Sequence, residues 1–377
     1  LYLLSLSVKY HQLHLLMLAA SYTIAMPLDS LRFMTFNVFP GSPLPYVGGG
    51  IRGLAHSLRL KKQLAGIREL QPDVIFLQEL YCVHALKSYT SAFPDYLFFR
   101  LPCCNIRGRV MYASLVGLLG AVAVIIVWAA CWSIPWVNAH LVTHRLHYVF
   151  PLLFLLTCPA VHSCIRTSGI AQWLSGSAAG LVTMVRNHDA FVSCQIVRCA
   201  SRFFHHQAGD PLNYFAPRGV LSVQVEMSNG CNLALFNTHL NQSQEDCTGY
   251  RLAQAREVLD IIRDALSACR PGMARTPTVI LGGDMNNGPE SPEVIFIQRE
   301  GALVDAFSAA LETSGELTWA EANPFTHPVY VRGLPDARID FVLVDQQMRV
   351  DSCSTAFGGP HFVSDHLAVV ADATLDD

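Results

Sequence analysis

The feature that most constrains the fold is a set of short apolar stretches that end in acidic, amide or histidine residues. The clearest is VILGGDMNN, residues 279–287, in which three apolar residues and two glycines run into an acidic residue. Apolar runs that stop at polar residues are typical of strands buried inside a sheet. The stretch therefore predicts a strand that places the side chains of Asp284, Asn286 and Asn287 at one edge of a sheet.

Five other stretches of the chain repeat this arrangement. They are LRFMTFNVF (31–39) with Asn37, PDVIFLQEL (72–80) with Glu79, NLALFNTHLNQ (232–242) with Asn237 and His239, ARIDFVLVD (337–345) with Asp340 inside the strand, and FVSDHLAVVADATL (362–375) with Ser364, Asp365 and His366. A single acidic residue after a strand is usually a turn former. Six strands that all carry such residues to one rim predict a chemical site instead.

Two amphipathic stretches lie between these predicted strands. Residues 53–70 and residues 250–269 repeat leucine, isoleucine and valine at helical spacing, with charged residues on the opposite face. Strands that alternate with helices are typical of layered folds. The sequence therefore predicts an α/β fold.

The residue types at the predicted rim suit one kind of chemistry. Carboxylate and amide oxygens, such as those of Glu79, Asn37 and Asp365, are the ligands that Mg²⁺ prefers. Histidines such as His239 and His366 supply a proton acceptor and a charge donor near neutral pH. An oxygen-held metal beside two histidines predicts phosphoester hydrolysis, in which the metal draws charge from the phosphoryl oxygens and a base activates water.

The motifs N, Q-E, N-T-H, G-D-x-N, R-I-D and S-D-H follow one another along the chain in that order. In this order they resemble the endonuclease/exonuclease/phosphatase superfamily, with its DNase I-like fold, over roughly 30–100 and 178–377. The resemblance implies a four-layer α/β sandwich of two mixed β-sheets flanked by helices. The chain departs from the family pattern in GLVTMVRN (180–187), where Val185 occupies a position that is commonly serine.

The resemblance implies catalytic roles for five residues. His239 matches the histidine that contacts the scissile phosphate, and Asp284 and Asn286 match the pair that positions the nucleophile and the phosphate. Asp340 and His366 match a carboxylate–imidazole dyad. In such a dyad the carboxylate orients the ring and supports the imidazolium, while the imidazole takes a proton from water.

The resemblance also implies a metal centre. Glu79 matches the principal Mg²⁺ ligand with Asn37 beside it, and Asp365 matches a residue near the metal or its water shell. Mn²⁺ is the expected substitute for Mg²⁺, and no organic cofactor is expected. Two of the assignments have simpler alternatives, in which Asn37 only caps a turn and Asp340 forms an ion pair with Arg338.

A long apolar stretch interrupts the predicted catalytic fold. There is no Asp or Glu between Asp95 and Asp189, and residues 110–139 carry no charge at all. About 20 apolar residues of helix cross a bilayer core, so we predict a membrane segment at 110–137 and a second, shorter one at 148–165. A two-span hairpin and one span with an interfacial piece both fit the sequence, and a buried core helix is the alternative.

These segments divide the chain into four parts. We predict an apolar leader or gene-model extension at 1–25, a first catalytic part at 26–103, a hydrophobic insertion at 104–178 and a second catalytic part at 179–377. Without the insertion, the catalytic parts together have a normal size for one domain.

Composition narrows the class of partner and the compartment. The chain has a net charge of -3 and only 15% charged residues, so it lacks the excess of Lys and Arg that marks a basic nucleic-acid binder. Its 12 cysteines include no CxxC pair. This pattern predicts buried, reduced thiols rather than a disulfide framework or a zinc site. We therefore expect a membrane-associated protein whose catalytic part faces the cytosol.

Three stretches resemble the neutral sphingomyelinase branch of the superfamily. They are NYFAPRGVLSVQVEM (213–227), THLNQSQEDCTGYRLAQAREVL (238–259) and TWAEANPFTHPVYVRGLPDARIDFVLV (318–344). The resemblance implies an Mg²⁺-dependent phosphodiesterase that cleaves a phosphosphingolipid such as sphingomyelin to ceramide and a phospho-headgroup. A metal-dependent endo- or exonuclease, an inositol-lipid phosphatase and a catalytically silent scaffold are the alternatives. Nucleic acid is the less favoured partner, because only scattered arginines such as Arg198, Arg202 and Arg218 support it.

Overall fold

The computed structural model describes residues 30–38, 52–80, 83–100, 180–187, 196–205, 218–227, 230–242, 248–268, 276–326 and 336–375. The predicted leader at 1–25 and the insertion at 104–178, with its membrane segments at 110–137 and 148–165, lie outside these residues. Within the described ranges, no helix combines the length and the apolarity needed to cross a bilayer.

The described strands form two sheets. They are β1 Leu31–Asn37, β2 Val74–Gln78, β3 Tyr96–Arg100, β4 Val182–Arg186, β5 Ile196–Phe203, β6 Gly219–Glu226, β7 Asn232–His239, β8 Thr278–Asp284, β9 Leu303–Asp305, β10 Glu312–Ser314, β11 Asp340–Asp345, β12 Met348–Ala356 and β13 Ala368–Leu375. The first sheet has the order β10-β12-β13-β1-β2-β4-β3, and the second has the order β5-β6-β7-β8-β11-β9. Both are mixed, since β1 runs parallel to β2 and β7 parallel to β8, while β13 and β6 are antiparallel neighbours.

Helices cover the outer face of each sheet. They are α1 Arg52–Leu70, α2 Val83–Ala92, α3 Thr248–Ser267 and α4 Pro292–Gly301. The short helix α5 Ala306–Ala309 packs against the cluster between the sheets, and a 3-10 helix spans Gly359–His361. One apolar cluster joins α1 and α2 to the first sheet, another joins α3 and α4 to the second, and a third lies between the sheets. The predicted α/β sandwich with two mixed sheets flanked by helices is therefore confirmed.

Alternation along the strands explains both the core and the place of the polar residues. In β7, Leu233 and Leu235 belong to the cluster between the sheets, while Phe236 packs in the cluster under the helices. Because side chains on a strand alternate with period two, Asn237 and His239 lie on the same face of β7 as Leu233 and Leu235, toward the other sheet. The polar residues at the strand end thus occupy the same layer as the central core.

The two sheets approach each other closely just behind this polar end. A Cβ atom at Gly282 of β8 would lie 2.2 Å from Cδ2 of Phe76 in the opposite sheet. Phe76 is fully buried there, at 0% exposure. Glycine weakens a strand but admits close approach, so Gly282 makes room for a large ring directly below Asp284.

The predicted position of one site residue changes slightly. Asp340 is the first residue of β11 rather than an interior residue of a strand. It stands at the start because β11 runs antiparallel to β8 and pairs Asp340 with Asp284, the last residue of β8.

Candidate active site

The candidate site lies where neighbouring strands of both sheets reach one rim. In the first sheet, Asn37 at the end of β1 pairs with Gln78 at the end of β2. In the second sheet, Asp284 at the end of β8 pairs with His239 on one side and with Asp340 on the other. Strand register therefore places three of the predicted site residues, His239, Asp284 and Asp340, side by side in the second sheet.

Asp284 is the centre of the site. Its Oδ2 atom accepts a hydrogen bond from Nδ2 of Asn37 at 3.0 Å, and it lies 3.2 Å from Nε2 of His239 and 3.8 Å from Nε2 of His366. Burial raises the pKa of Asp284, but the two imidazoles and Asn37 outweigh burial and hold that pKa well below its usual range. Asp284 is therefore a buried, ionised carboxylate at neutral pH. The hydrogen bond from Asn37 joins the two sheets, so Asn37 does more than cap a turn.

His366 is oriented by a carboxylate and an indole. Its Nδ1 atom lies 2.8 Å from Oδ2 of Asp340, and the Trp319 ring meets it edge to face at a centroid distance of 5.0 Å. Burial lowers the pKa of His366, but the carboxylates of Asp340 and Asp284 outweigh burial and hold it well above its usual value. Burial raises the pKa of Asp340 to about 6. The carboxylate of Asp340 therefore stabilises a proton on the His366 ring.

His239 has the opposite surroundings. The guanidinium of Arg218 contacts its ring, with Nη1 2.5 Å from Nδ1 and 2.9 Å from Nε2. Burial and the charge of Arg218 lower the pKa of His239, which keeps the ring neutral. Since a guanidinium only donates, the nearer nitrogen Nδ1 is the acceptor, and the ring proton is left on Nε2, beside Asp284.

The motifs did not identify Arg218 as a site residue. The signal that could have found it is its place directly before β6, because Gly219 pairs with His239 in the strand register. Trp319 and Thr318 were also missed as site residues. Thr318 Oγ1 accepts hydrogen bonds from the backbone N–H groups of Ile339 and Asp340, at 2.9 and 3.1 Å.

Glu79 follows β2 in a left-handed conformation, with φ of 60°. A positive φ is uncommon for a residue with a Cβ atom, and such strained positions cluster at functional sites. Its half-buried carboxylate lies close enough to Asp365 to affect it electrostatically. Burial is the main reason why the pKa of Asp365 rises to about 7, and the charge of Glu79 adds to the rise.

The oxygen donors around Glu79 fit a hard divalent cation. Ser364 connects two of them, since its Oγ donates to the Asn37 carbonyl at 2.7 Å and lies 3.2 Å from Oδ1 of Asp365. A buried carboxyl beside another carboxylate gains from a nearby cation, which favours the ionised form of both groups. Glu79, Asn37 and Asp365 are therefore the residues that would hold the ion, and their roles stay predictions.

A second group has ligand atoms at metal-binding spacing among the described residues. Asp284, Asp340 and His366 each place one ligand atom within 4.8 Å of the others, and all three are buried. These groups are already linked to one another, since His366 pairs with Asp340 through Nδ1 and faces Asp284 through Nε2. A histidine that binds a metal commonly gives its other ring nitrogen to a carboxylate, so this arrangement fits a metal site as well as proton transfer.

Asn286 ties together the strand ends that carry Asp284 and His239. Its N–H donates to Oδ1 of Asp284 at 2.8 Å, and its Nδ2 donates to the Leu240 carbonyl at 2.9 Å. Its φ of 52° turns the chain sharply after β8. Asn287 serves a different purpose, since its Nδ2 donates to the buried side chain of Glu293 at 2.9 Å.

The structure separates Asp340 from Arg338. The Arg338 guanidinium binds both carboxylate oxygens of Asp305, at 2.9 and 2.6 Å, and two phenylalanine rings lie against it. A planar guanidinium matches a carboxylate in this two-bond arrangement. The alternative in which Asp340 pairs with Arg338 is therefore wrong, and Asp340 is left to His366.

A comparison with protein families supports the superfamily that the motif order predicted. Residues 197–366 match the model described as the Endonuclease/Exonuclease/phosphatase family. The matched residues contain the N-T-H, G-D-x-N and R-I-D motifs and end at His366. The match does not distinguish the sphingomyelinase branch, and no curated protein matches the chain.

Solved structures share the fold at low sequence identity. An endonuclease/exonuclease/phosphatase from Bacteroides vulgatus is 15% identical with a TM-score of 0.56, and covers 92% of this chain and 99% of its own. A mannosyl-6-phosphatase from Bacteroides thetaiotaomicron is 15% identical with a TM-score of 0.56, over 92% of this chain and 100% of its own. TDP2 from D. rerio, complexed with a single-strand DNA product, is 16% identical with a TM-score of 0.54, over 92% of this chain and 99% of its own. At identities this low, structural similarity establishes a shared fold alone, because one fold serves many activities.

Proposed function

We propose that the chain is a metal-dependent phosphoester hydrolase. The observation that carries this proposal is the convergence of the Asp340–His366 pair, a neutral His239 and an ionised Asp284 on the rim beside Glu79. Groups whose surroundings push their pKa values apart are typical of acid–base sites. The family match over the second catalytic part supports the same class of reaction.

Three predicted oxygen ligands would hold the metal. An ion bound by Glu79, Asn37 and Asp365 would supply positive charge to the phosphoryl oxygens of the substrate. Mg²⁺ is the proposed ion and Mn²⁺ a substitute, because the predicted ligands are all oxygen donors.

His366, in its neutral form, is the proposed proton acceptor of the site. Asp340 engages its Nδ1 atom at 2.8 Å, so Nε2 is the ring atom left to take a proton from the attacking water. The buried carboxylate then stabilises the imidazolium that forms. This mechanism needs Asp340 to be ionised and fixed in place, and the bonds from the Ile339 and Asp340 N–H groups to Thr318 fix its backbone.

His239 and Arg218 are proposed to stabilise the negative charge of the reacting phosphoryl group. Arg218 adds a fixed positive charge beside the ring in a site from which water is largely excluded, where such charges act most strongly. Asp284 and Asn286 hold the ring and the loop beside it in one arrangement. The phosphate would thus meet groups whose positions are set before it binds.

The proposed substrate is a phosphosphingolipid such as sphingomyelin, and the proposed partner is a membrane. The motif resemblance supports this substrate, and so does the place where the apolar insertion is attached. Arg100 at the end of β3 pairs with Val182 of β4, and the Leu80 N–H donates to the Gly180 carbonyl at 2.9 Å. The chain therefore leaves and re-enters the described fold on the rim that carries Glu79.

An apolar segment attached at this rim would hold the site against a lipid surface. The proposed location is accordingly membrane-associated, with the catalytic part facing the cytosol. The spacing of the 12 cysteines, which include no CxxC pair, supports a reducing compartment.

Hydrolysis by the purified full-length chain in detergent with Mg²⁺ tests the proposal, with sphingomyelin and plasmid DNA offered in parallel. The expected result is Mg²⁺-dependent release of phosphocholine that is lost in Glu79→Ala and in His366→Ala. His361→Ala is the matched control, because His361 is exposed on the 3-10 helix shortly before His366 and should be dispensable.

Other outcomes separate the alternatives. Cleavage of DNA with sphingomyelin untouched would overturn the lipid substrate and establish the nuclease alternative. Release of inorganic phosphate from an inositol lipid would establish a phosphatase. A chain that hydrolyses none of these substrates with Mg²⁺ or Mn²⁺ would overturn the enzyme proposal itself.

A further inference from the structure

Two residues of the recurring motifs have no part in the proposed chemistry. Gln78 precedes Glu79 in the Q-E motif, and Asn237 lies two residues before His239 in the N-T-H motif. Both side chains are fully buried, at 0% exposure, in the layer between the two sheets. They lie directly beneath the rim, next to the apolar cluster between the sheets.

Gln78 and Asn237 bind each other across the gap between the sheets. Nε2 of Gln78 donates to Oδ1 of Asn237 at 2.9 Å and lies 3.1 Å from Oγ1 of Thr35. Nδ2 of Asn237 in turn donates to the carbonyls of Leu77 and Val182, at 3.0 and 2.9 Å. Asn237 of the second sheet is thereby bonded to two strands of the first, β2 and β4.

These bonds specify how the two sheets are placed. A buried amide is costly unless its donors and acceptors are all paired. Apolar side chains of similar size would fill the same space in several relative positions of the sheets. The two amides are satisfied in one position only, because each bond needs a defined distance and direction.

The same bonds bear on the backbone of Glu79. A residue with a Cβ atom keeps a φ of 60° only where its surroundings determine it from several sides. On one side, Gln78 is held by its side-chain bonds and by the N–H of Val38, which donates to the Gln78 carbonyl at 3.1 Å. On the other side, the N–H of Leu80 donates to Gly180 at 2.9 Å.

We infer that Gln78 and Asn237 form a cross-sheet latch whose role is to position Glu79 of the first sheet against His239 and Asp284 of the second. The latch is a pair of positioning residues that acts through Glu79, and the inference rests on the proposed function. Residues that support metal ligands typically change metal affinity about 10- to 100-fold when they are replaced. The latch therefore sets the affinity of the site for its divalent ion.

Mn²⁺ binding, measured by electron paramagnetic resonance on the full-length chain, tests the latch without relying on turnover. Asn237→Leu and Gln78→Met keep the approximate shape of the side chains and remove the bonds. We expect each to weaken Mn²⁺ binding about 10-fold or more, with kcat at saturating Mg²⁺ changed much less than the Mg²⁺ activation constant. Glu79→Ala marks the full loss of binding.

Thr183→Val is the matched control for the latch. Thr183 is fully buried in the same layer on β4, and its Oγ1 atom has no hydrogen-bond partner. Its replacement should leave Mn²⁺ binding unchanged. The double variant of Gln78 and Asn237 should bind Mn²⁺ about as well as the weaker single variant, because one shared interaction is lost only once.

The outcomes distinguish the latch from a purely structural pair. A lower melting temperature with unchanged Mn²⁺ affinity in both single variants overturns the inference. If Asn237→Leu does not fold, Thr35→Val decides, since it removes one partner of Gln78 and should weaken Mn²⁺ binding slightly but measurably. A wild-type chain that binds no Mn²⁺ overturns the latch and the proposed function together, whereas binding without hydrolysis overturns the proposed function alone.

Discussion

The two histidines of the site flank the same oxygen atom and have opposite surroundings. Nε2 of His239 lies 3.2 Å from Oδ2 of Asp284, and Nε2 of His366 lies 3.8 Å from it. Behind His239 stands the cation Arg218, and behind His366 stands the anion Asp340. The two histidines contact one carboxylate, but their pKa values are shifted in opposite directions.

The contrast shows how two residues of the same type can take different roles in one site. Arg218 and burial lower the pKa of His239, so that ring stays neutral and offers a fixed Nε2–H. Asp340 and Asp284 raise the pKa of His366 against the effect of burial, so that ring has a strong affinity for protons. The neighbouring charges, and not the histidines, assign the roles.

Removal of the anion behind His366 should have the largest effect. Asp340→Asn keeps the shape of the side chain and removes its charge, so the imidazolium loses its stabilising partner. We expect kcat to fall about 10³-fold, within the range that a general base contributes. Steady-state hydrolysis with saturating Mg²⁺ measures it. Asp345→Asn is the control, because Asp345 lies at the end of β11 away from the rim and accepts a bond from the Gln347 N–H.

A fall of less than about 10-fold in Asp340→Asn would show that the charge of Asp340 does not set the role of His366. His366 would then act without its carboxylate, and the two histidines would differ only in their position.

Removal of the cation behind His239 should have the second largest effect. Arg218→Met keeps much of the apolar stem and deletes the charge, and we expect kcat to fall about 10²-fold, as for the loss of one preorganised donor. Arg218→Lys should recover part of the activity because it restores the charge. Arg186→Met serves as the control, since Arg186 lies at the end of β4 away from the rim and pairs with Asp95 at 3.7 Å.

Nitrogen-15 NMR of the His239 ring sharpens this test. In the wild type the ring should be neutral with its proton on Nε2, and Arg218→Met should populate the other tautomer as well. Identical ring spectra in the two proteins would contradict the role assigned to Arg218.

Loosening the support of Asp340 should have a smaller effect than removing its charge. Thr318→Val deletes the hydroxyl that accepts bonds from two backbone N–H groups and leaves them unpaired in a buried place. We expect a loss of about 1–2 kcal/mol in the free energy of unfolding and a few-fold fall in kcat. Denaturant unfolding measures the first, with the exposed Thr313→Val as control. An unchanged unfolding free energy would show that water replaces the hydroxyl.

The smallest effects should appear in the dependence of stability on pH, measured in the presence of a metal chelator. The pKa of His239 is lowered from 6.5 in the folded chain, so its contribution is present above about pH 6.5 and is lost as the pH falls. The pKa of His366 is raised above 6.5, so its contribution is present below about pH 6.5 and is lost as the pH rises through the folded value.

The two glutamine variants should therefore change the profile in opposite directions. His239→Gln should lose less stability than the wild type on acidification from about pH 7 to 5. His366→Gln should be most destabilised at acidic pH, with a deficit that shrinks as the pH rises. Melting temperatures across this range measure both, and parallel profiles for the two variants would abolish the comparison.

The sequence allowed the layered fold to be predicted because the relevant information is local. Apolar runs that end in polar residues mark the strands, and the period-two alternation of β7 places Leu235, Asn237 and His239 on one face. The strand register then brings Asp284 between His239 and Asp340, so residues identified separately from short motifs meet at one rim.

The parts of the site that the sequence did not predict depend on contacts between residues far apart in the chain. Arg218 reaches His239 only through the pairing of β6 with β7, and Arg338 finds Asp305 across 33 positions. The edge-to-face contact of Trp319 with His366 likewise joins separate segments. No periodicity or short motif reports such contacts, because they are set by packing after the strands have formed. The substrate also stays a prediction, since the shared fold does not specify it.

The pairing of Arg100 with Val182 has a consequence for how such a chain can change over evolutionary time. β3 and β4 are antiparallel neighbours, and a connection of two to five residues normally suffices between such strands. Everything carried between them is an addition to a hairpin that would already close without it. The cost of lengthening such a loop grows only slowly with its length. A lineage could therefore gain, exchange or discard this accessory at the hairpin tip while the sandwich beneath keeps its register.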